Sequence, residues 1–313
     1  EIINLSSILE LPKGTEHFMS DLHGEYDAFY HIINNCSGVI REKVAMLYGD
    51  ELTVYEQQEL CTLIYYPREK LSILMDENKV NDEWYRNVLN QLIQIAKLLS
   101  SKYTRSKVRK AMPVDFAYII DELIHAQKDE DDNRSVYHRQ IMETILSLHN
   151  GDEFLVALTD LIKRLAVDHL HILGDIYDRG AHADKILDLL MEHHSVDIQW
   201  GNHDILWMGA FCGNPVCMAL VVRNNIKYKT MSILENGYGI SLRFLLQFAV
   251  NTYSDKNVDD AVYKAISVIL FKLEGQLIKR HPEYRMEGRL LLDKMNLDKG
   301  TVRIGDKDYF LNT

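Results

Sequence analysis

Three short segments of this sequence combine side chains that bind divalent cations and phosphate. They are 21–24 (Asp-Leu-His-Gly), 174–180 (Gly-Asp-Ile-Tyr-Asp-Arg-Gly) and 201–204 (Gly-Asn-His-Asp). Carboxylate, imidazole and amide groups together suit Mn, Fe, Zn or Mg rather than the soft ions that prefer sulfur ligands. The pattern therefore predicts a centre for divalent metal ions.

The number and order of these ligands favour a two-metal centre. We expect Asp21 and His23 to hold one ion, Asp175 to bridge, and Asn202 to begin the ligand shell of the second ion. Two ions about 3.5–4 Å apart can clamp a phosphoryl group and make water a stronger nucleophile near neutral pH. Phosphate monoester hydrolysis needs such help, because its rate enhancements reach the order of 10²¹.

Each segment follows a stretch that is typical of a β-strand. The three stretches are 17–20, 169–173 and 196–200, and helical patterns follow at 26–33, 183–194 and 205–211. In open α/β sheets, ligands bind at the carboxyl ends of the strands. An α/β fold with parallel strands joined by helices would therefore bring the three segments to one edge of a sheet.

A long segment without site residues separates the first two motifs. Residues 37–165 show helical patterns, including a capping box from Thr53 to Glu56 and a proline at Pro67 that suits a first helical position. The charged run from Lys128 to Arg134 predicts a solvated turn. The chemistry does not need this insert, so we expect a lid, a regulatory surface or an oligomer interface.

The pattern divides the chain into four parts. We expect residues 1–36 to form the first part of the core, 37–165 an all-helical insertion, and 166–255 the second part of the core. Residues 256–313 then form a helix and a hairpin around Gly305 and Asp306 that lead into a further C-terminal part.

The three motifs, in this order, resemble those of the metallophosphoesterase superfamily. The residues around them, Ser-Asp-Leu-His-Gly-Glu-Tyr-Asp at 20–27 and Gln-Trp-Gly-Asn-His-Asp-Ile-Leu-Trp-Met-Gly-Ala at 199–210, resemble class III fructose-1,6-bisphosphatase, the bacterial type. The resemblance runs through most of the chain. It implies a metallophosphoesterase-type β-sheet core flanked by helices, and Mn²⁺ or Mg²⁺ as the cofactor.

The resemblance also implies roles for three residues. His203 protonates the leaving sugar oxygen, and Asp178 orients and charges His203. A neighbouring carboxylate does favour a protonated imidazole. Arg179 grips the phosphate oxygens through its planar set of donors. The implied reaction is gluconeogenic: it releases the 1-phosphate of a sugar bisphosphate, fructose 1,6-bisphosphate.

Two other functions stay open. The substrate could be a phosphoprotein or a dinucleoside polyphosphate, although the long insert and Asp204, where protein phosphatases usually carry Glu, favour the sugar. The chain could also be a non-catalytic regulatory module, but intact motifs argue against that.

The histidines downstream of the third motif are too few for a complete second metal site. The family supplies two more, whereas this chain has only His281, followed by Pro282, after His203. The chain begins with Glu1 and stops shortly after the hairpin. We therefore expect it to correspond to the N-terminal portion of the enzyme, with an incomplete second metal site.

Composition restricts the partners. The 313 residues carry a net charge of −11, which argues against a general nucleic-acid or anionic-membrane surface. The sequence shows no apolar run of spanning length and no Cys-x-x-Cys pair, which predicts a cytoplasmic protein with reduced thiols. A homo-oligomer is a further expectation.

Other histidines and basic residues are expected to be structural or solvated. His169 and His171 precede Asp175 on the second strand, where we expect them to be packed or to lie outside the metal shell. A basic group downstream could reach a second phosphate or simply face solvent. Its members are Arg223, Lys227, Lys229 and Arg243.

Overall fold

The computed structural model describes residues 1–126, 132–254 and 256–311, with the side chains of 132–135 left out. The chain divides into two compact units. Unit 1 consists of Glu1–Met19, Asp27–Ile172 and Glu192–Asp197. Unit 2 consists of Ser20–Tyr26, Leu173–Met191 and Ile198–Thr313. The fold class is mixed α/β, as the sequence predicted.

Helices dominate the first half of the chain. They are α1 Ile2–Leu9, α2 Tyr26–Asn35, α3 Val39–Tyr48, α4 Val54–Tyr65, α5 Pro67–Asp76, α6 Asp82–Ser100, α7 Arg105–Ala111, α8 Ala117–Ile124, α9 Asp132–Ser147 and α10 Gly151–Ala166. Short 3₁₀ turns lie at Cys36–Gly38 and Val114–Phe116.

The start signals of two of these helices are confirmed. Thr53 accepts a hydrogen bond from the backbone N–H of Glu56, and the Glu56 carboxylate accepts one from the backbone N–H of Thr53. Pro67 occupies the first turn of α5. The turn expected at 128–134 is wrong for residues 132–134, which form the first turn of α9. Residues 128–131 lie outside the described residues.

Helices α6 and α10 form the centre of the core of unit 1. Both have a continuous apolar face, so packing them against each other removes that face from water. The fully buried side chains include Leu89, Leu92, Phe154, Leu158 and Leu161.

The sheet of unit 1 has three strands, β1 Glu16–Met19, β2 His169–Ile172 and β3 Val196–Ile198, in the order β1-β2-β3. Strands β1 and β2 run parallel, with Phe18 opposite His171. Side chains alternate between the faces: Leu170 and Ile172 are fully buried, whereas His169 and His171 lie on the other, partly exposed face.

Unit 2 contains the remaining elements. They are α11 Ala183–Glu192, α12 Asn202–Phe211, α13 Pro215–Tyr228, α14 Arg243–Thr252, α15 Val258–Arg280, β4 Met295–Asn296, β5 Thr301–Ile304 and β6 Lys307–Phe310. A π-turn lies at Ile233–Gly237, and 3₁₀ turns lie at Pro282–Tyr284, Glu287–Arg289 and Leu292–Lys294.

Helix α15 is the packing platform of unit 2, since both α13 and α14 contact it. Val216 and Ala219 on α13 are buried with Ile266 and Leu270 on α15. The predicted hairpin is confirmed as antiparallel β5 and β6, with Gly305 at φ 61° in the turn. Strand β4 adds a third, unpredicted strand.

In the part of the chain that the structure describes, no helix is both long and apolar enough to cross a membrane.

Candidate metal centre

The first two motifs bring together, in unit 2, three side chains that could hold a metal ion. Asp21, His23 and Asp175 each offer a ligand atom, and these atoms all lie within 4.8 Å of one another. Asp21 Oδ1 lies 3.6 Å from His23 Nε2. Oxygen and imidazole ligands at this spacing suit a hard or borderline divalent cation.

The environment of His23 fits a metal ligand. Its side chain is only 7% exposed, and its Nδ1 lies 3.2 Å from the carbonyl oxygen of Tyr177. A carbonyl oxygen can only accept, so Nδ1 is the donor in this hydrogen bond and Nε2 is the ring nitrogen that faces the ligand group. That Nε2 is buried and has no hydrogen-bond partner. Metal-binding histidines are typically fixed in this way through the second ring nitrogen, so these residues fit a bound cation.

Backbone hydrogen bonds hold the first two motifs side by side. The N–H of Asp21 donates to Gly174 (3.2 Å), that of His23 to Asp175 (2.8 Å), and that of Gly24 to Ile176 (2.8 Å). These hydrogen bonds join the two loops that carry Asp21, His23 and Asp175.

The two loops contain strained backbone. Among the described residues, eleven other than glycine have positive φ, and five of them are motif residues, namely Asp21, His23, Asp175, Asp178 and Arg179. Such conformations cost about 1–3 kcal/mol each and tend to collect at functional sites. Here the strain turns successive side chains in directions that a regular strand would not allow.

The third motif lies directly against the second. A Cβ atom on Gly174 would overlap the backbone of Gly201, and a Cβ on Gly201 would overlap Asp175 Oδ1. The backbone N–H of His203 donates to the same oxygen at 3.2 Å. Glycine is therefore required at both positions because the chain segments touch.

Asp204 joins these segments. Its buried carboxylate accepts hydrogen bonds from the backbone N–H groups of Asp175 (2.7 Å), Ile176 (2.9 Å), Tyr177 (3.2 Å) and Gly201 (2.8 Å). From the sequence, Asp204 served only to favour a sugar over a phosphoprotein as the substrate. The structure gives it a positioning role that local sequence did not reveal, because three of the four donors are about 28 positions away.

Asp178 and His203 form a hydrogen-bonded pair. His203 Nδ1 lies 2.7 Å from Asp178 Oδ2, and the Asp178 side chain is 1% exposed. Trp207 Nε1 donates to Oδ1 (3.2 Å) and Asn224 Nδ2 to Oδ2 (2.8 Å). The buried carboxylate is thus compensated by three donors, as a buried charge requires.

Trp207 and Asn224 were not predicted from the sequence. Trp207 lies four residues after His203 on α12, so helical spacing could have placed both on one face. Asn224 lies on α13, and no local signal connects it to Asp178.

Tyr177 stacks on Trp207 with ring centroids 4.2 Å apart. Burial and a hydrogen bond with Tyr238 raise the pKa of Tyr177, so its phenol stays protonated.

The pair and the metal ligands are neighbours. The rings of His23 and His203 meet edge to face, with centroids 5.5 Å apart.

Arg179 is exposed and makes no ion pair with the rest of the described chain, so its guanidinium is available to an anion. Asn202 is exposed as the first residue of α12. His281 is engaged elsewhere, with Glu283 at 2.8 Å and stacked on Tyr284.

The sequence profile of Firmicute fructose-1,6-bisphosphatase matches residues 1–313. Three curated relatives are similar over 99–100% of this chain. They are a class 3 fructose-1,6-bisphosphatase of Clostridium beijerinckii (51% identical), one of Clostridium tetani (50%) and one of Clostridium acetobutylicum (49%).

The chain spans about half the length of these relatives, since 50% of each is covered. No solved structure matches it.

Proposed function

We propose that this chain, which belongs to the Firmicute fructose-1,6-bisphosphatase family, carries the catalytic motifs of a metal-dependent sugar bisphosphatase. The substrate is fructose 1,6-bisphosphate and the products are fructose 6-phosphate and phosphate, a step of gluconeogenesis. The names of three relatives that are 49–51% identical support this substrate.

One observation carries the proposal. The ligand atoms of Asp21, His23 and Asp175 lie within 4.8 Å of one another, and the Asp178 and His203 pair lies beside them. A metal-ligand set next to a proton donor suits phosphate monoester hydrolysis, because the reaction needs both a stabilised phosphoryl group and a protonated leaving group.

Each residue then has a defined task. Asp21, His23 and Asp175 hold a divalent cation, and Asn202 contributes to a second. When bound, such ions withdraw charge from a phosphoryl group and acidify water. Arg179 binds phosphate oxygens through its free guanidinium. We assign Mn²⁺ or Mg²⁺ because the family resemblance implies them, and the carboxylate and imidazole ligands suit such ions.

His203 is the proton donor of this scheme. Its Nδ1–H points to the Asp178 carboxylate at 2.7 Å, which leaves Nε2 to carry the transferable proton. As a water oxygen bonds to phosphorus and the bond between phosphorus and the sugar oxygen breaks, that proton passes to the sugar oxygen, which leaves as a neutral hydroxyl. Asp178 stabilises the charged imidazole and fixes its orientation. Trp207 and Asn224 in turn hold Asp178 in place.

We also propose how the chain divides into a core, an insertion and a C-terminal segment. Residues 1–36 and 166–255 would form a metallophosphoesterase-type core, with 37–165 as a helical insertion and 256–313 as a helix and hairpin leading into a further part. The chain's short parallel strands followed by motif loops support this arrangement. An incomplete second metal site in this chain, a cytoplasmic location and a homo-oligomer stay predictions.

Substrate specificity tests the proposal. The full-length protein in Mn²⁺ should release phosphate from fructose 1,6-bisphosphate, and Asp175→Asn should abolish the release. Under equal conditions it should release none from a phosphopeptide or a dinucleoside polyphosphate. Equal or faster release from those would replace the sugar by the second substrate class. The absence of release from all of them, with metal bound, would favour the regulatory module.

A further inference from the structure

A second group of possible metal ligands lies in unit 1, on the partly exposed face of its sheet. His169 and His171 alternate along β2, so both point to the same face, and their ring centroids are 4.5 Å apart. Asp197 on the neighbouring strand β3 reaches both rings: Oδ2 lies 3.4 Å from His169 Nε2, and Oδ1 lies 2.8 Å from His171 Nδ1. The ligand atoms of the three residues lie within 4.8 Å of one another.

We propose that His169, His171 and Asp197 bind a borderline transition-metal ion of the Zn²⁺ type, at a site separate from Asp21, His23 and Asp175. Two imidazoles and one carboxylate form a ligand set that zinc commonly uses. The hard ions Mg²⁺ and Mn²⁺ prefer oxygen ligands, so the two groups should differ in metal preference.

His169 is held as a metal ligand usually is. Its Nδ1 lies 2.7 Å from Ser195 Oγ, which fixes the ring and leaves Nε2 facing Asp197. Ligand atoms about 2.1 Å from a tetrahedral zinc ion are separated by about 3.4 Å. The distance of 3.4 Å from His169 Nε2 to Asp197 Oδ2 therefore already fits one edge of such a site.

His171 faces the site with Nδ1, which lies 2.8 Å from Asp197 Oδ1, so Nδ1 is its ligand atom. The other ring nitrogen, Nε2, points away from Asp197 toward Glu16 on β1, whose Oε2 lies 3.9 Å away. The His171 ring is also fixed on its face by Phe18, stacked at 4.3 Å.

The surrounding charge favours a cation. Glu16 and Asp197 are both more than half exposed, so neither is neutralised by burial, and the whole chain carries −11. The ion would link β2 to β3, because His169 and His171 belong to one strand and Asp197 to the other. Binding to the folded state alone must raise the melting temperature.

The test uses Asp21→Asn/Asp175→Asn protein, in which the first group of ligands is disabled. Equilibrium dialysis against Zn²⁺ should find one bound equivalent, and Mg²⁺ at the same concentration should not displace it. Adding His169→Ala and His171→Ala should remove that equivalent. Ser195→Ala should weaken binding by about 10–100-fold, the usual effect of losing an outer partner.

His281→Ala is the matched control, because His281 also faces a carboxylate at 2.8 Å but has no second histidine beside it. It should leave zinc binding unchanged. Equal zinc binding with and without His169 and His171 would overturn the proposal. If the variants with substituted histidines do not fold, zinc X-ray absorption on the Asp21→Asn/Asp175→Asn protein decides. Two imidazole ligands are expected, and fewer than two would overturn the assignment.

Discussion

At the scale of single residues, the motif side chains depend on partners that lie far away in sequence. Asp21, His23 and Asp175 were predicted from the motifs, and the pair of Asp178 with His203 was implied by the family resemblance. The structure brings these residues together in unit 2. Trp207 was not predicted, although its helical spacing from His203 could have placed both on one face. Asn224 and the hydrogen bonds that Asp204 accepts from Asp175, Ile176 and Tyr177 could not be predicted. Such long-range contacts leave no trace in local spacing.

His203→Gln should lower kcat for fructose 1,6-bisphosphate by about 10²–10⁴-fold in the full-length protein, because the leaving oxygen loses its proton donor. Metal binding should stay intact. The control is His281→Gln, which changes a histidine paired with Glu283 away from the motifs. A His203→Gln variant that keeps more than half of the activity would remove His203 from the mechanism.

Asp204→Asn should lower the free energy of unfolding by about 2 kcal/mol, measured by urea denaturation. One amide oxygen cannot serve four backbone donors, and the new NH₂ group would face some of them. As a control, Asp293→Asn changes a half-exposed carboxylate that pairs only with Lys279. The loss of unfolding free energy in Asp293→Asn should be below about 1 kcal/mol. Equal losses in both variants would refute the positioning role of Asp204.

At the scale of elements, the motif glycines explain how a strand end, a loop and a helix start can share one small volume. Gly174 follows β2, and Gly201 precedes α12. Neither position has space for a side chain, because the two segments are in contact there. The glycines of the Gly-Asp and Gly-Asn pairs are therefore needed for close packing, whereas the polar residues that follow them supply the chemistry.

Gly201→Ala should displace Asp175 and weaken Mn²⁺ binding by at least about 10-fold, since the new methyl group would overlap the Asp175 carboxylate. Gly288→Ala is the matched control, because a Cβ there meets nothing within 4 Å. Calorimetric titration with Mn²⁺ gives the comparison. Unchanged affinity in Gly201→Ala would mean that Asp175 is not a ligand.

Elements with strong local signals were predicted well. The capping box of α4, the proline start of α5 and the hairpin of β5 and β6 each depend on a few adjacent residues, and all three are confirmed. Strand β4 was missed because its two residues carry no alternation of their own and form a strand only by pairing with β5. The division into two units could not be predicted either, since it depends on long-range contacts.

At the scale of the whole molecule, histidines that are at least partly shielded from water make stability depend on pH. Burial, together with the charge of His194, lowers the pKa of His193 from 6.5 to about 4, against a hydrogen bond to Ser195 that raises it. Burial also lowers the pKa values of His17 and His194. Between pH 6.5 and about 4, the unfolded chain binds a proton at His193 that the folded chain does not.

The free energy of unfolding should therefore be highest above pH 6.5 and fall as the pH drops toward 4. Glutamine cannot take up a proton, so His193→Gln should reduce the loss. Urea unfolding of both proteins at pH 7.5 and pH 5 measures the difference. If both proteins lose the same free energy, or if the wild type becomes more stable at pH 5, the buried neutral histidine is not the cause.

The central claim is that the first two motifs hold a divalent cation between Asp21, His23 and Asp175. An anomalous difference map from a crystal soaked in Mn²⁺ tests it most directly. We expect a manganese peak within about 2–2.5 Å of Asp21, Asp175 and His23 Nε2. Well-ordered side chains at these three positions with no peak between them would contradict it.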